Sequence, residues 1–203
     1  TTLVGTAGAS AFVFRSLNGN DWFGGGSGYN TSFGAPTLAT QWFNGFIDSV
    51  VGAMTDPMAA AGVSMFRATL FDEWRDAGGF ASLSDANIGY VYENTSGEIQ
   101  FGLEGFLDAS PRFRQFLNDS GYAGFSEFVP DGIQYSEVVM LNDEAYYSFG
   151  NGTPSGVQLD DAPFNSYTAD FAFTEQVPEP SAISVVILAL VPAMLRRKRR
   201  ELL

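Results

Sequence analysis

The chain contains no cysteine and no histidine. Disulfides are therefore excluded, and so are nitrogen- and sulfur-ligated zinc sites, Cys-His and Ser-His-Asp nucleophiles and imidazole proton shuttles. Positive charge is scarce as well. Of ten cations and 23 acids, five cations and one acid lie beyond Pro180, which leaves five arginines against 22 acids, a net −17, in residues 1–180. Those arginines are Arg15, Arg67, Arg75, Arg112 and Arg114; no lysine precedes Lys198. A field of that sign repels phosphate backbones, so no nucleic-acid partner is expected. The remaining chemistry is that of carboxylates, hydroxyls, amides and carbonyls.

Oxygen-only chemistry makes calcium the natural metal. Asn18, Asn20 and Asp21 in one Gly/Asn-rich stretch, and Asp160 with Asp161 in another, are the candidate ligands. Neither stretch fits an EF-hand loop, since no Glu closes the spacing, and turn formation explains both sets equally well. Paired carboxylates could also serve a glycoside hydrolase. With 22 acids such pairs arise by chance and no motif singles one out, so the domain is read as non-catalytic, with no cofactor required. Trp22, Phe23 and Tyr29 punctuate a Gly-rich stretch over residues 18–32, read as a loop. Their rings either stack on a polysaccharide or fold back onto the core.

The ends differ from the middle. Residues 1–11 are small, apolar and uncharged, and Ala9-Ser10-Ala11 fits a small-x-small cleavage pattern. They read as the remnant of a secretory signal peptide, with a first strand as the competing reading. At the other end, residues 182–195 form an uncharged apolar run of 14 residues. As a helix at about 1.5 Å per residue this covers roughly 21 Å, short of a hydrocarbon core of about 30 Å. Arg196, Arg197, Lys198, Arg199 and Arg200 follow; they snorkel to the headgroups and place the tail on the cytoplasmic side. Ahead of the run stand Val177, Pro178, Glu179 and Pro180, where two prolines two apart keep the backbone extended.

Between the ends, residues 12–173 read as one exported domain, joined by a linker over 174–181 to the membrane helix 182–195 and the basic tail 196–203. Apolar spacing of three and four predicts a helix over 38–54 with Thr37 as its N-cap, and a second over 63–77 ended by Gly78-Gly79. The period then changes to two. Residues 88–93 and 98–107 flank the turn 94–97 as a hairpin, with Ile99, Phe101 and Leu103 toward a core and Gln100, Gly102 and Glu104 toward water. A short helix over 111–117 with Ser110 as cap and strands at 134–141, 144–149 and 167–173 complete the reading. The fold class expected is α+β, N-terminal helices packed on one face of an antiparallel sheet, followed by a C-terminal transmembrane helix.

The order Val177-Pro178-Glu179-Pro180, apolar run, basic block resembles the PEP-CTERM sorting domain of Gram-negative bacteria. That resemblance implies recognition by an exosortase, a membrane transpeptidase thought to cleave near the motif. It also implies residence in the inner membrane with the domain outside the cytoplasm, then release to the cell surface or the extracellular matrix, where exopolysaccharide is a candidate partner. Gln41-Trp42-Phe43-Asn44, Gly78-Gly79-Phe80, Ser84-Asp85-Ala86-Asn87-Ile88, Ser136-Glu137-Val138-Val139 and Tyr146-Tyr147-Ser148-Phe149 are similar to a cyanobacterial-type group of such proteins, which carries no assigned activity. The leading expectation is a sorted, non-catalytic surface or matrix protein. A secreted polysaccharide- or calcium-binding module is the alternative, and a carboxylate-based hydrolase comes third.

Overall fold

Most helix starts in the first half are set by side chains that take up the otherwise unpaired N–H groups of a first turn. The computed structural model of the chain describes residues 2–7, 10–25, 31–159 and 167–175. It opens on a hairpin, β1 (Thr2–Ala7) and β2 (Ser10–Arg15), paired from Thr2↔Arg15 to Ala7↔Ser10. Residues 2–7 fall in the segment read as a leader remnant, so trimming before Phe12 would remove β1 and leave β2 as the sheet edge.

The stretch expected to be a loop holds a helix, α1 (Gly19–Phe23). Asn18 Oδ1 accepts from the N–H groups of Asn20 (2.9 Å) and Asp21 (3.4 Å), while Asp21 Oδ2 accepts from the Asn18 N–H at 2.8 Å. This reciprocal capping box turns what look like turn residues into a helix start. Thr37 caps α2 (Leu38–Ala53) as expected, its Oγ1 accepting the Thr40 N–H. Trp42, Phe43, Phe46, Ile47 and Val50 form the buried face of α2.

The single helix predicted over 63–77 is two helices, α3 (Pro57–Met65) and α4 (Arg67–Asp76). Phe66, at φ −89° and ψ 7°, closes one and opens the other: its N–H donates to the Gly62 carbonyl and its own carbonyl accepts from Leu70. Its ring leaves the α4 face to pack on Tyr122 and Phe125. Gly78, at φ +76°, ends α4, with Gly78 N–H on the Arg75 carbonyl and Gly79 N–H on the Trp74 carbonyl. That is the Schellman arrangement expected of the Gly-Gly pair.

A 3₁₀ turn (Ala81–Leu83) leads to β3 (Ile88–Glu93) and β4 (Ile99–Phe106), joined by the turn at 94–97. Next come α5 (Ser110–Asp119) and α6 (Ala123–Ser126). Ser110 is not the cap of α5. Asp108 Oδ1 accepts its N–H at 2.9 Å, and the buried Ser110 hydroxyl accepts from the Ile133 N–H instead. The strands β5 (Tyr135–Ser136), β6 (Val139–Leu141), β7 (Glu144–Tyr146), β8 (Thr153–Leu159) and β9 (Tyr167–Glu175) follow.

The α+β class holds, but the strands form two antiparallel sheets rather than one, in the orders β1-β2-β6-β7 and β3-β4-β9-β8, with β5 paired to β4. The predicted strand 134–141 crosses between them. Ser136 pairs with Gly105 in one sheet, the N–H groups of Glu137 and Val138 go to the carbonyls of Glu104 and Leu83, and Leu141 pairs with Phe14 in the other. Such sheet-switching makes the corners of packed sheets.

Two apolar clusters result. One lies among the helices around Trp22, Trp42, Phe46, Trp74 and Phe80. The other fills the space between the sheets with Phe12, Phe14, Ile99, Phe101, Leu103, Val139 and Leu141. Strand β6 serves both, since Met140 points into the helical cluster, which is why its sequence runs apolar without alternation. Among the described residues no helix is long and apolar enough to cross a membrane. Residues 182–195 lie outside them.

Candidate functional site

On the second sheet, Val91, Phe101, Leu103 and Phe173 turn toward the inter-sheet cluster. The opposite face carries Tyr90, Tyr92, Gln100, Gly102, Glu104, Asp170, Ala172 and Thr174, brought together by register. Tyr90 pairs with Gly102 and Tyr92 with Gln100; Gly102 pairs with Ala172, Gln100 with Thr174 and Glu104 with Asp170. A bulge between Ile88 and Tyr90 inserts Gly89 and keeps both tyrosines on this face.

The two tyrosines are 38% and 52% exposed, with ring centroids 5.8 Å apart and planes 32° from parallel. Gly102 allows this. A Cβ built there would stand 2.4 Å from the Tyr90 ring, so the missing side chain lets the ring lie against the strand. The Tyr92 hydroxyl donates to Gln100 Oε1. Burial, then the neighbouring Tyr92 and Asp170, push the Tyr90 phenol above its usual range.

Beyond Tyr90 sits a pair of acids. Glu104 is 6% exposed, and its Oε2 has no hydrogen-bond partner among the described residues. Burial, with Asp170 directly across the strand pair and in hydrogen-bonding reach, raises its carboxyl to about 6. Gly89 is bound to this pair by space, because a Cβ there would lie 3.0 Å from Asp170 Oδ1 and 3.4 Å from Glu104 Oε1.

The residues singled out in the sequence lie elsewhere. Asn18 and Asp21 spend their oxygens on the α1 cap, and Asp21 also forms a two-pronged pair with Arg15 (2.7 and 2.9 Å), which holds its carboxyl below the usual range. Asn20 contributes the backbone N–H that Asn18 caps. Trp22 and Phe23 are buried at 0% and 3% in the helical cluster, the Trp22 indole N–H donating to Ser84 Oγ at 2.7 Å. Tyr29, Asp160, Asp161, residues 177–180 and residues 196–200 lie outside the described residues. No group of three or more metal-ligating side chains occurs among the described residues.

A second concavity, a cleft of about 470 Å³, opens between α4 and α5 and is lined by Glu73, Trp74, Asp76, Gly79, Arg112 and Phe116 among others. Its cation is committed: Arg112 donates to Ser82 Oγ at 2.7 Å and lies 5.6 Å over the Phe106 ring. Trp74 is only 3% exposed, so it offers no ring face to a ligand. The tyrosine face is therefore the better-built site. Comparison with protein-family models, with curated proteins and with solved structures returned no match.

Proposed function

We propose that the chain is an exported bacterial surface or extracellular-matrix protein, sorted and cleaved by an exosortase, whose folded domain is non-catalytic. The observation that carries this reading is the order Val177-Pro178-Glu179-Pro180, uncharged run 182–195, basic block Arg196 to Arg200. Its position relative to the fold supports it: β9 ends at Glu175, two residues before Val177. Strand β9 lies between β4 and β8, so the chain leaves the domain from the interior of a sheet. A motif placed there stands between a fixed globule and the bilayer, where a membrane enzyme can reach an extended Pro-Glu-Pro backbone.

The acidity of residues 1–180 suits solubility outside the cell. Membrane fractionation of a Gram-negative host producing the chain with an N-terminal-domain epitope tests the placement. The expected result is a precursor that pellets with inner membrane and whose epitope is degraded by protease added to spheroplasts. A tagged chain that remains in the cytosolic fraction would contradict the proposal.

A further inference from the structure

We propose that the outer face of the second sheet binds a neutral polysaccharide, one sugar ring stacking on Tyr90 and the next on Tyr92. The inference rests on the exported, non-catalytic reading above and names the partner of that domain. Large aromatic side chains are normally drawn into cores, and here the three tryptophans are buried. Among the exposed aromatics of the described residues, Phe128 stands singly, whereas Tyr90 and Tyr92 are adjacent, 38% and 52% exposed, their planes 32° from parallel and their centroids 5.8 Å apart, close to the length of one pyranose ring along a chain. Gly102 beneath Tyr90 flattens the platform. A sugar ring offers an apolar C–H face to such rings and a rim of hydroxyls to polar neighbours.

Those neighbours are in place. Gln100 accepts the Tyr92 hydroxyl and keeps its amide nitrogen as a donor, and Thr174 lies opposite it on β9. Charge decides the class of chain. Strands β3, β4 and β9 contain acids, and none of β3, β4, β8 and β9 contains lysine or arginine, so an anionic polymer is repelled while hydroxyl donors are accepted. The same acidity, −17 over residues 1–180, disfavours a second copy of the chain as occupant. Strand β3 is the edge of its sheet, so a long polymer can run past the platform.

The test is affinity electrophoresis of the purified full chain in detergent, on native gels containing hydroxyethylcellulose, laminarin, dextran or galactomannan, with alginate as the anionic comparator. Retardation by at least one neutral polymer and not by alginate is expected. Tyr90→Ala and Tyr92→Ala should each weaken it about tenfold, and Tyr92→Phe should keep most of it. Ala172→Arg, at an exposed position in the middle of the face, should block binding without touching either ring, and tryptophan emission verifies that each variant is folded. Absence of retardation on every neutral polymer, equal retardation by alginate, or folded Tyr→Ala and Ala172→Arg variants that bind like the parent would each overturn the proposal. So would a parent dimer that the tyrosine variants dissolve, with no glycan bound. The readout is independent of sorting: a tail that is never cleaved leaves it intact, and failed binding leaves processing of the tail unchanged.

Discussion

Glu104 shows how a single residue can carry a pH dependence that its neighbours in sequence do not announce. Its carboxyl titrates at about 6 in the fold, against 4.5 for an unperturbed group, because burial and Asp170 disfavour the charged form. A raised acid stabilises the fold fully below pH 4.5, and that contribution disappears as pH rises through 6, to the extent of about 2 kcal/mol. Glu104→Gln removes the ionisation and should raise stability by about 1–2 kcal/mol at pH 8 and by nothing measurable at pH 4. Urea melts of both proteins at the two pH values check this, and an equal effect at both would refute it. The sequence places Glu104 on the face toward water; it lies on the face away from Leu103 but is buried there, 6% exposed, because its surroundings are set by β4–β9 pairing between segments far apart in the chain. Caps are different. Thr37 and Gly78 were legible because a cap is decided within four residues, while the Asn18–Asp21 box was misread because the same residues also make turns.

Among the elements, the helices and the 88–106 hairpin were readable from apolar period, and the failures have local causes. The break at Phe66 follows from where its ring packs, which no periodicity records. Strand β8 was missed because Thr153, Pro154, Ser155 and Gly156 open it, a composition poor in strand formers. Among the described residues strand β8 pairs only with β9, an edge position where proline is tolerated. The sheet-switch after Ser136 was hidden inside one apolar run. The crossing itself imposes a requirement at Gly105, where a Cβ would lie 2.4 Å from the Tyr135 carbonyl and 2.7 Å from Ser136 Cα. Backbone atoms cannot step aside as a side-chain end can, so Gly105→Ala should cost about 3 kcal/mol. At Gly124, with open space around it, the same change should stay within about 0.5 kcal/mol. Chemical denaturation of the two variants separates these outcomes, and similar costs would show that β4 and β5 do not approach as described.

At the scale of the whole molecule, charge and polarity are segregated along the chain: an acidic globule without lysine, a proline-stiffened connection, an apolar run and a basic end. This ordering is linear, so it is legible in the sequence. The tyrosine platform is not, because it exists only once β3, β4 and β9 are in register. The helical cluster around Trp42 and the inter-sheet cluster around Phe101 draw their described members from residues 12–173, so removal of residues 176–203 should leave the fold intact. The most direct test of the sorting account is intact-mass and C-terminal peptide mass spectrometry of the protein recovered from cells with and without the exosortase. The account predicts a chain ending near Pro178-Glu179-Pro180 when the enzyme is present, and residues 182–203 retained when it is absent. A complete C-terminal tail in both strains would contradict it.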